Sequence, residues 1–446
     1  MPSANILYLH SHDTGRFIQP YGHPIRTPNL QKFAEQGVVF RQAFCANPTC
    51  SPSRAALLTG QYPHNNGMLG LAHRGFTLND YRHHLLHALK SRGYTAALAG
   101  IQHIANPHEQ PWQTIGYDHC LTDNPSEAHT AACGFLDSVG DNPFFLSVGF
   151  FETHRKFPAE PEENPDYCMP PPGLPDTAET RLDMARYKAS ARRLDEKMGA
   201  VLEALDRNGL AENTLVICTT DHGIAFPGMK CNLTDAGTGV MLMMRGPGGN
   251  AGGESAGFTG GRTMDGLVSH VDIFPTVCDV VGIEKPEWLE GVSLLPMLDG
   301  REVRESVFAE VNVHACAEPM RSVRTRRWKY IRRFHKRRRP YPANCDDSPS
   351  KDVWLHYGFA GAQRQQEELY DLVFDPHETC NLAAEPRVTD ILDQMRARLD
   401  RWMHDSGDPL ADGGSLRLPS TAVLNAEDGL RANGQTLLVA DDGQPD

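Results

Sequence analysis

Asn5-Ile6-Leu7-Tyr8-Leu9-His10-Ser11-His12-Asp13-Thr14-Gly15 decides the reading of the fold. A short apolar run suits a buried strand, and the chain turns polar directly after it. Three later stretches repeat the change. Thr95 to Leu98 runs into Ala99-Gly100-Ile101-Gln102-His103, Pro143 to Phe151 into Glu152-Thr153-His154-Arg155, and Thr214 to Cys218 into Thr219-Thr220-Asp221-His222-Gly223. Helical stretches lie between them. The clearest runs from about Arg181 to Leu205, with Leu194, Met198, Val201, Leu202 and Leu205 on one face. Strands alternating with helices predict an α/β fold, a mostly parallel sheet sandwiched by helices, with ligands gathering at the carboxyl ends of the strands.

Beyond residue 300 the character shifts. Arg321 to Arg339 is very basic and β-rich, with Trp328-Lys329-Tyr330-Ile331 as its best strand. Glu368 to Leu372 is another strand candidate, and a helix is expected from about Arg387 to His404. The organisation read from this is a catalytic α/β domain over 1–300, a C-terminal α+β subdomain with a small antiparallel sheet over 301–420, and an acidic tail over 421–446. That tail could serve as an arm crossing to a second copy, so a homo-oligomer is an expectation. The Gly-rich stretch Gly246 to Gly261 lacks the G-K-[S/T] ending of a phosphate-binding loop and reads as a surface loop.

Composition narrows the function. The hydrophobic fraction of 40% supports a sizeable core in 446 residues. A net charge of −13 argues against nucleic acid as a partner, and no apolar run is long enough to cross a bilayer. Met1-Pro2-Ser3-Ala4 offers no basic leader, so the chain as it stands is expected in the cytoplasm, or in the periplasm or outside the cell if a leader has been removed. Eleven scattered cysteines form no disulfide framework and should be mostly buried thiols.

Cys50-Ser51-Pro52-Ser53-Arg54-Ala55-Ala56-Leu57-Leu58-Thr59-Gly60 carries the chemistry. Pro52 suits a first helical turn, Ser51 an N-cap and Gly60 a C-cap, which puts Cys50 just ahead of a helix N-terminus. Free N–H groups and the helix dipole favour an anion there, and Arg54 can point back to the same place. Read from the residues alone, Cys50 is either a reactive sulfur beside an anion hole or a buried structural cysteine. Asp13, Asp221 and His222 follow strand candidates and are either ligands of a divalent cation or capping and turn residues. His103 and His154 likewise stand at strand ends, and Lys230 lies on a loop.

The full string C-x-P-S-R followed by A-x-L-L-T-G resembles the signature of the sulfatase family, formylglycine-dependent members of the alkaline-phosphatase superfamily. Pro48-Thr49-Cys50 through Gln61-Tyr62-Pro63-His64-Asn65-Asn66-Gly67-Met68 is most similar to the sulfamidase branch, relatives of N-sulfoglucosamine sulfohydrolase. Val268 to Thr276, and Glu368-Leu369-Tyr370-Asp371-Leu372 with Asp375-Pro376-His377-Glu378, extend the likeness. The resemblance implies an alkaline-phosphatase-like sheet domain with a smaller C-terminal α+β domain. It also implies a hydrolase of sulfate esters or sulfamates acting on an anionic sulfated small molecule or saccharide, a glycosaminoglycan fragment among them.

By the same resemblance Cys50 is converted to formylglycine by a maturation enzyme, and one divalent metal is held by His12, Asp13, Cys50, Asp221 and His222. Calcium is the family's metal, but His12 stands where an aspartate is usual, and two imidazoles favour Mn²⁺ or Zn²⁺. Arg54 and Lys230 would hold the sulfo group, His154 act as general acid and His103 as the base that releases sulfate from the second hydroxyl of the hydrated aldehyde. Ile101 departs from the family, which often has a lysine two residues before His103. A phosphonate or phosphate ester hydrolase of the same superfamily is the runner-up, and a non-catalytic sulfated-sugar-binding protein a third reading. The run His335-Lys336-Arg337-Arg338-Arg339 is either a solvated loop or a rim for an acidic sugar chain, and Asn344, Asp346 and Asp347 are candidates to reach over the pocket.

Overall fold

The protein is described from a computed structural model over residues 4–108, 110–140, 142–247, 257–434 and 436–438. Most of the Gly-rich stretch and the last eight residues of the tail lie outside these. Eight strands build the main sheet: β1 (Asn5–Ser11), β2 (Val38–Phe44), β3 (Thr95–Gly100), β4 (His119–Thr122), β5 (Phe144–Gly149), β6 (Thr214–Thr220), β7 (Leu242–Arg245) and β8 (Arg262–Ser269). Their order is β4-β3-β5-β1-β6-β7-β2-β8, and β7 alone runs against its neighbours β6 and β2.

Residues alternate faces along a strand, and β1 feeds both sides of the sheet. Ile6 and Tyr8 pack with Phe40, Phe145, Ile217 and Phe274, while Leu7 and Leu9 pack with Leu146, Val216, Leu194 and Met198. The second face is covered by the helix Ala178–Arg207, longer than the sequence periodicity suggested. Its start is fixed by a reciprocal cap, in which Thr177 Oγ1 accepts from the Thr180 amide and Thr180 Oγ1 from the Thr177 amide.

Register matters more for function than the core does. Gly100, Gly149, His10 and Thr219 are level across β3, β5, β1 and β6. Four connecting loops therefore leave the sheet at one edge. Gly100 turns the chain there with φ +83°, and a Cβ at that position would lie 2.3 Å from the Gly149 carbonyl.

A second sheet, antiparallel and ordered β12-β11-β10-β9, comprises β9 (Val307–Val313), β10 (Ala317–Arg324), β11 (Trp328–Arg333) and β12 (Glu367–Asp371). The helix Thr389–Asp405 packs Leu392, Met395, Leu399 and Met403 on Val323, Tyr330 and Leu369. A buried polar network ties this sheet to the helix-bearing segment after Cys50. The His64 amide donates to Glu310 Oε1 at 2.9 Å, and the His64 ring pairs with Glu310 Oε2. Arg321 forks onto Asp408 at 2.5 and 3.0 Å and donates to Asn312 Oδ1 at 2.9 Å.

The described part of the expected tail is ordered against its own chain. β13 (Val423–Asn425) and β14 (Thr436–Leu438) form a hairpin, Ala422 and Leu424 enter the main core, and Arg74 donates to Asn425 Oδ1 at 2.9 Å. Arg337, from the basic run, donates to Asp428 of the same arm. All eleven cysteines are free, and seven are buried. No helix among the described residues is long and apolar enough to cross a membrane.

Candidate functional site

Cys50 opens the helix Cys50–Thr59 as its first residue, not as a residue ahead of it. Thr49, rather than Ser51, is the N-cap position, because its backbone is extended (φ −131°, ψ 149°) and its carbonyl accepts from the Ser53 amide at 3.0 Å. The Ser51 hydroxyl is taken by the Ala72 amide, and Thr49 Oγ1 donates to Asn47 Oδ1, so no side chain caps the first turn. The positive end of the dipole is thereby left to whatever lies beside Cys50. Gly60 ends the helix with φ +67°, as a left-handed C-cap. Cys50 is 2% exposed, and burial pushes its thiol well above the ordinary cysteine range.

The loops at the sheet edge converge on this sulfur. His222 Nε2 lies 3.4 Å from Cys50 Sγ and 3.3 Å from Asp13 Oδ1. His222 Nδ1–H donates to the Gly223 carbonyl at 2.9 Å, which leaves the Nε2 lone pair facing both. Asp221 Oδ1 accepts from the Asp13 amide at 2.8 Å, and its Oδ2 lies 3.0 Å from both His12 Nδ1 and Arg54 NH2. Burial works to raise the Asp221 carboxyl, but His222, Arg54 and His12 together hold it well below the usual range. Arg54 also donates to the Ser11 carbonyl at 2.8 Å and meets His10 Nδ1 at 2.5 Å.

Lys230 reaches the same point because the Cys231 amide is tied to the Pro48 carbonyl at 2.9 Å. Its ammonium sits 3.1 Å from Asp13 Oδ2 and 3.0 Å from Asp346 Oδ2. Burial opposes the charge, yet the two carboxylates keep the lysine well above its usual range. Of the three residues considered for reaching over the pocket, Asp346 alone touches this site. Asn344 accepts from the Ala315 and Cys316 amides, and Asp347 pairs with Lys351.

His12, Asp13, Cys50 and Asp221 each offer one ligand atom, all within 4.8 Å of one another. Among the described residues His12 Nε2 and Asp13 Oδ1 have no hydrogen-bond partner although both are buried. Unsatisfied buried lone pairs are costly, and two that converge with the Asp221 carboxylate and lie beside His222 Nε2 fit a divalent cation.

His154 Nδ1–H donates to the Arg155 carbonyl at 2.5 Å, and its ring stands 5.4 Å edge-on from that of His12. His103, held at φ +59°, brings a ring nitrogen within 4.8 Å of His12 and Cys50. Two further histidines escaped the sequence reading. His73 stacks on His103 with Nδ1 3.1 Å from its Nε2, and its pKa is lowered to about 4 by burial and then by Arg74. His314 is 8% exposed with an unpartnered Nδ1, and burial and then Lys230 lower its pKa. Neither follows a strand of the main sheet, the one signal that marked the others.

Comparison with known proteins gives consistent matches. The family described as Sulfatase matches residues 4–283, and the one described as N-sulphoglucosamine sulphohydrolase, C-terminal, matches residues 254–342. The chain is 30% identical to human (Homo sapiens) N-sulphoglucosamine sulphohydrolase over 91% of each protein. A candidate sulfatase of Bacteroides thetaiotaomicron VPI-5482, solved by crystallography, superposes with a TM-score of 0.72 at 22% identity, over 97% of this chain and 99% of that one. The phosphonate monoester hydrolase of Agrobacterium radiobacter shares the fold with a TM-score of 0.66 at 20% identity, over 90% and 96% of the two chains.

Proposed function

The chain belongs to the sulfatase family, hydrolases of sulfate esters and sulfamates, and on that footing we propose that it removes a sulfo group from an N- or O-sulfated sugar at residue 50. The observation that carries this is the convergence on one buried sulfur of an uncapped helix N-terminus, Arg54, Lys230 and the unsatisfied ligand atoms of His12 and Asp13.

His12, Asp13, Asp221 and His222 would hold the metal together with residue 50. A divalent cation there supplies Lewis-acid stabilisation and a lowered pKa for the nucleophilic hydroxyl, and conversion of Cys50 to formylglycine supplies, on hydration, two hydroxyls where a thiol has none. With two imidazoles beside two carboxylates, Mn²⁺ or Zn²⁺ suits the set better than Ca²⁺.

The remaining roles belong to the chain's own side chains. Lys230, fixed between Asp13 and Asp346, presents a positive charge to the oxygens of the transferred group. Arg54 holds Asp221 and the end of β1 in place and adds its field to the same point. His154 has its Nδ1–H committed to the Arg155 carbonyl, so Nε2 is the nitrogen turned to the substrate, and in the imidazolium form its Nε2–H is the proton given to the departing oxygen or nitrogen. His103 takes the proton whose removal lets sulfate leave, and His73 stacked behind it orients the ring.

The Asp221-His222 pair and Ile101 also suit a phosphonate or phosphate ester, which is the second reading. One experiment addresses both. Protein made in its native host is digested, and the peptide Gln42 to Arg54 is weighed. The expected result is loss of sulfur with gain of oxygen at residue 50. Sulfate release from an aryl sulfate should exceed phosphate release from the matched aryl phosphate, and Cys50→Ala should lower turnover by about 10⁴-fold or more without unfolding the protein. Retained turnover in Cys50→Ala would refute the mechanism, and faster phosphate release would favour the second reading.

A further inference from the structure

Next to the cluster around Cys50 lies a cavity of about 790 Å³ whose wall, apart from His73, His103 and His154, has no role assigned above. His103 and His154 stand at one side of it, and Ile101, Pro107, Pro111, Trp112 and Phe151 form much of the rest. Its size and mostly apolar wall are those of a small-molecule site. Among the described lining residues Asp123 is the one carboxylate, and none is lysine or arginine. Ile101 contributes an aliphatic side chain to the wall next to His103.

The cations nearby are already committed. Lys230 is paired with Asp13 and Asp346, Arg54 with Asp221, and Arg74 donates to Val423 and Asn425 of the C-terminal arm. On the other side of Phe151 and His154 a separate groove holds Lys156, Arg193 and Lys197, but it also holds Glu152, which pairs with Lys197, and Glu196.

This inference rests on the hydrolase reading above. If the sulfo group sits between residue 50 and Lys230, and its leaving atom faces His154, the rest of the substrate extends past His154 and His103 into this cavity. A second sulfate or carboxylate on that part would lose its water against Ile101, Trp112 and Phe151 with no lysine or arginine to replace it, His154 being engaged with the leaving atom. A ring with an apolar face would instead pack on Trp112 and Phe151.

We propose that this cavity is a leaving-group pocket selective for an uncharged ring, so that the substrate is a monosulfated molecule with no second anionic group. The shared chemistry is a ring with an apolar face, either a neutral sugar or an aryl group.

The test uses formylglycine-containing enzyme from the native host and three probes: an aryl monosulfate, a monosulfated hexosamine and the same hexosamine carrying a second sulfate. Both monosulfates should exceed the disulfate in kcat/KM by about 100-fold, and their ratio to each other identifies which ring is preferred. Ile101→Lys should narrow the gap by favouring the disulfate. Turnover of the disulfate equal to or faster than that of the monosulfates would overturn the pocket assignment alone. Absence of sulfate release from all three, with residue 50 verified by mass as formylglycine, would overturn the hydrolase reading beneath it.

Discussion

Two buried clusters in this molecule are built from the same residue types and behave oppositely. One is His12, Asp13, Cys50 and Asp221 at the edge of the main sheet, and the other is His64, Glu310 and Asp408 at the second sheet. Both gather imidazole and carboxylate atoms within 4.8 Å of one another. In the second, each charged side chain has an opposite partner. Glu310 receives His64 and Asn312, Asp408 receives Arg321, and Ser406 Oγ meets the far nitrogen of His64 at 3.1 Å. In the first, His12 Nε2 and Asp13 Oδ1 are left without partners among the described residues. Residue type alone does not distinguish a ligand set from an ion-pair network. The unspent lone pairs do, because a protein tolerates them in its interior only where something else satisfies them.

The sharpest break of this contrast is Asp13→Ala. It should remove the metal and lower kcat/KM by about 10³-fold, the several kcal/mol a bound cation supplies, while Lys230 keeps its second partner Asp346 and the fold survives. Metal analysis of the wild type purified without added metal should find Mn²⁺ or Zn²⁺, whereas stoichiometric Ca²⁺ alone would count against the role of His12.

Glu310→Ala should do the reverse. Removing one partner of a buried network leaves the His64 ring without its carboxylate, while Arg321 keeps Asp408, a loss of about 3–5 kcal/mol in denaturant unfolding. Metal content and turnover per folded molecule should stay within a few-fold of wild type. A fall in metal content would make the second cluster a ligand set after all.

A smaller effect concerns pH. Burial alone would lower the His64 pKa, but Glu310 outweighs it and the net shift is upward. Burial would raise Glu310, but His64 and Arg321 bring it down to about 2. The His64 contribution is therefore complete below the ordinary histidine value and is lost as pH rises through the raised one. The Glu310 contribution is present above the ordinary carboxyl value and is lost as pH falls toward about 2. As pH rises above the ordinary histidine value, the wild type should lose unfolding free energy that His64→Asn does not lose, read as a pH-dependent gap between their denaturant midpoints.

Much of the candidate site's edge was legible in the sequence. Its residues follow apolar runs directly, so the place of His12, Asp13, His103, His154, Asp221 and His222 in the chain announces where they will stand in a parallel sheet. Cys50 and Arg54 were legible from their helix signals, although the cap itself shifted to Thr49 because the Ser51 hydroxyl is recruited by the Ala72 amide. His73 and His314 were not legible, since each reaches the site from a segment with no local signal. The pairing of His64 with Glu310 joins residues 246 apart, a contact that no periodicity encodes. The stretch after residue 420 is acidic and Gly-containing, which marks a tail or an arm but not what it packs on, and Ala422 and Leu424 enter the main core.

That arm has a consequence in time. Arg74, next to His73, is held by Asn425, which lies 351 residues later in the chain. A ribosome adding about 5–20 residues per second needs roughly 20 to 70 s to pass from one to the other. His222, whose ring lies 3.4 Å from the Cys50 sulfur, also emerges long after it. The cysteine is thus made early and sealed late, and under the formylglycine chemistry proposed above, synthesis itself would open an interval in which a modifying enzyme reaches a side chain that the finished fold hides.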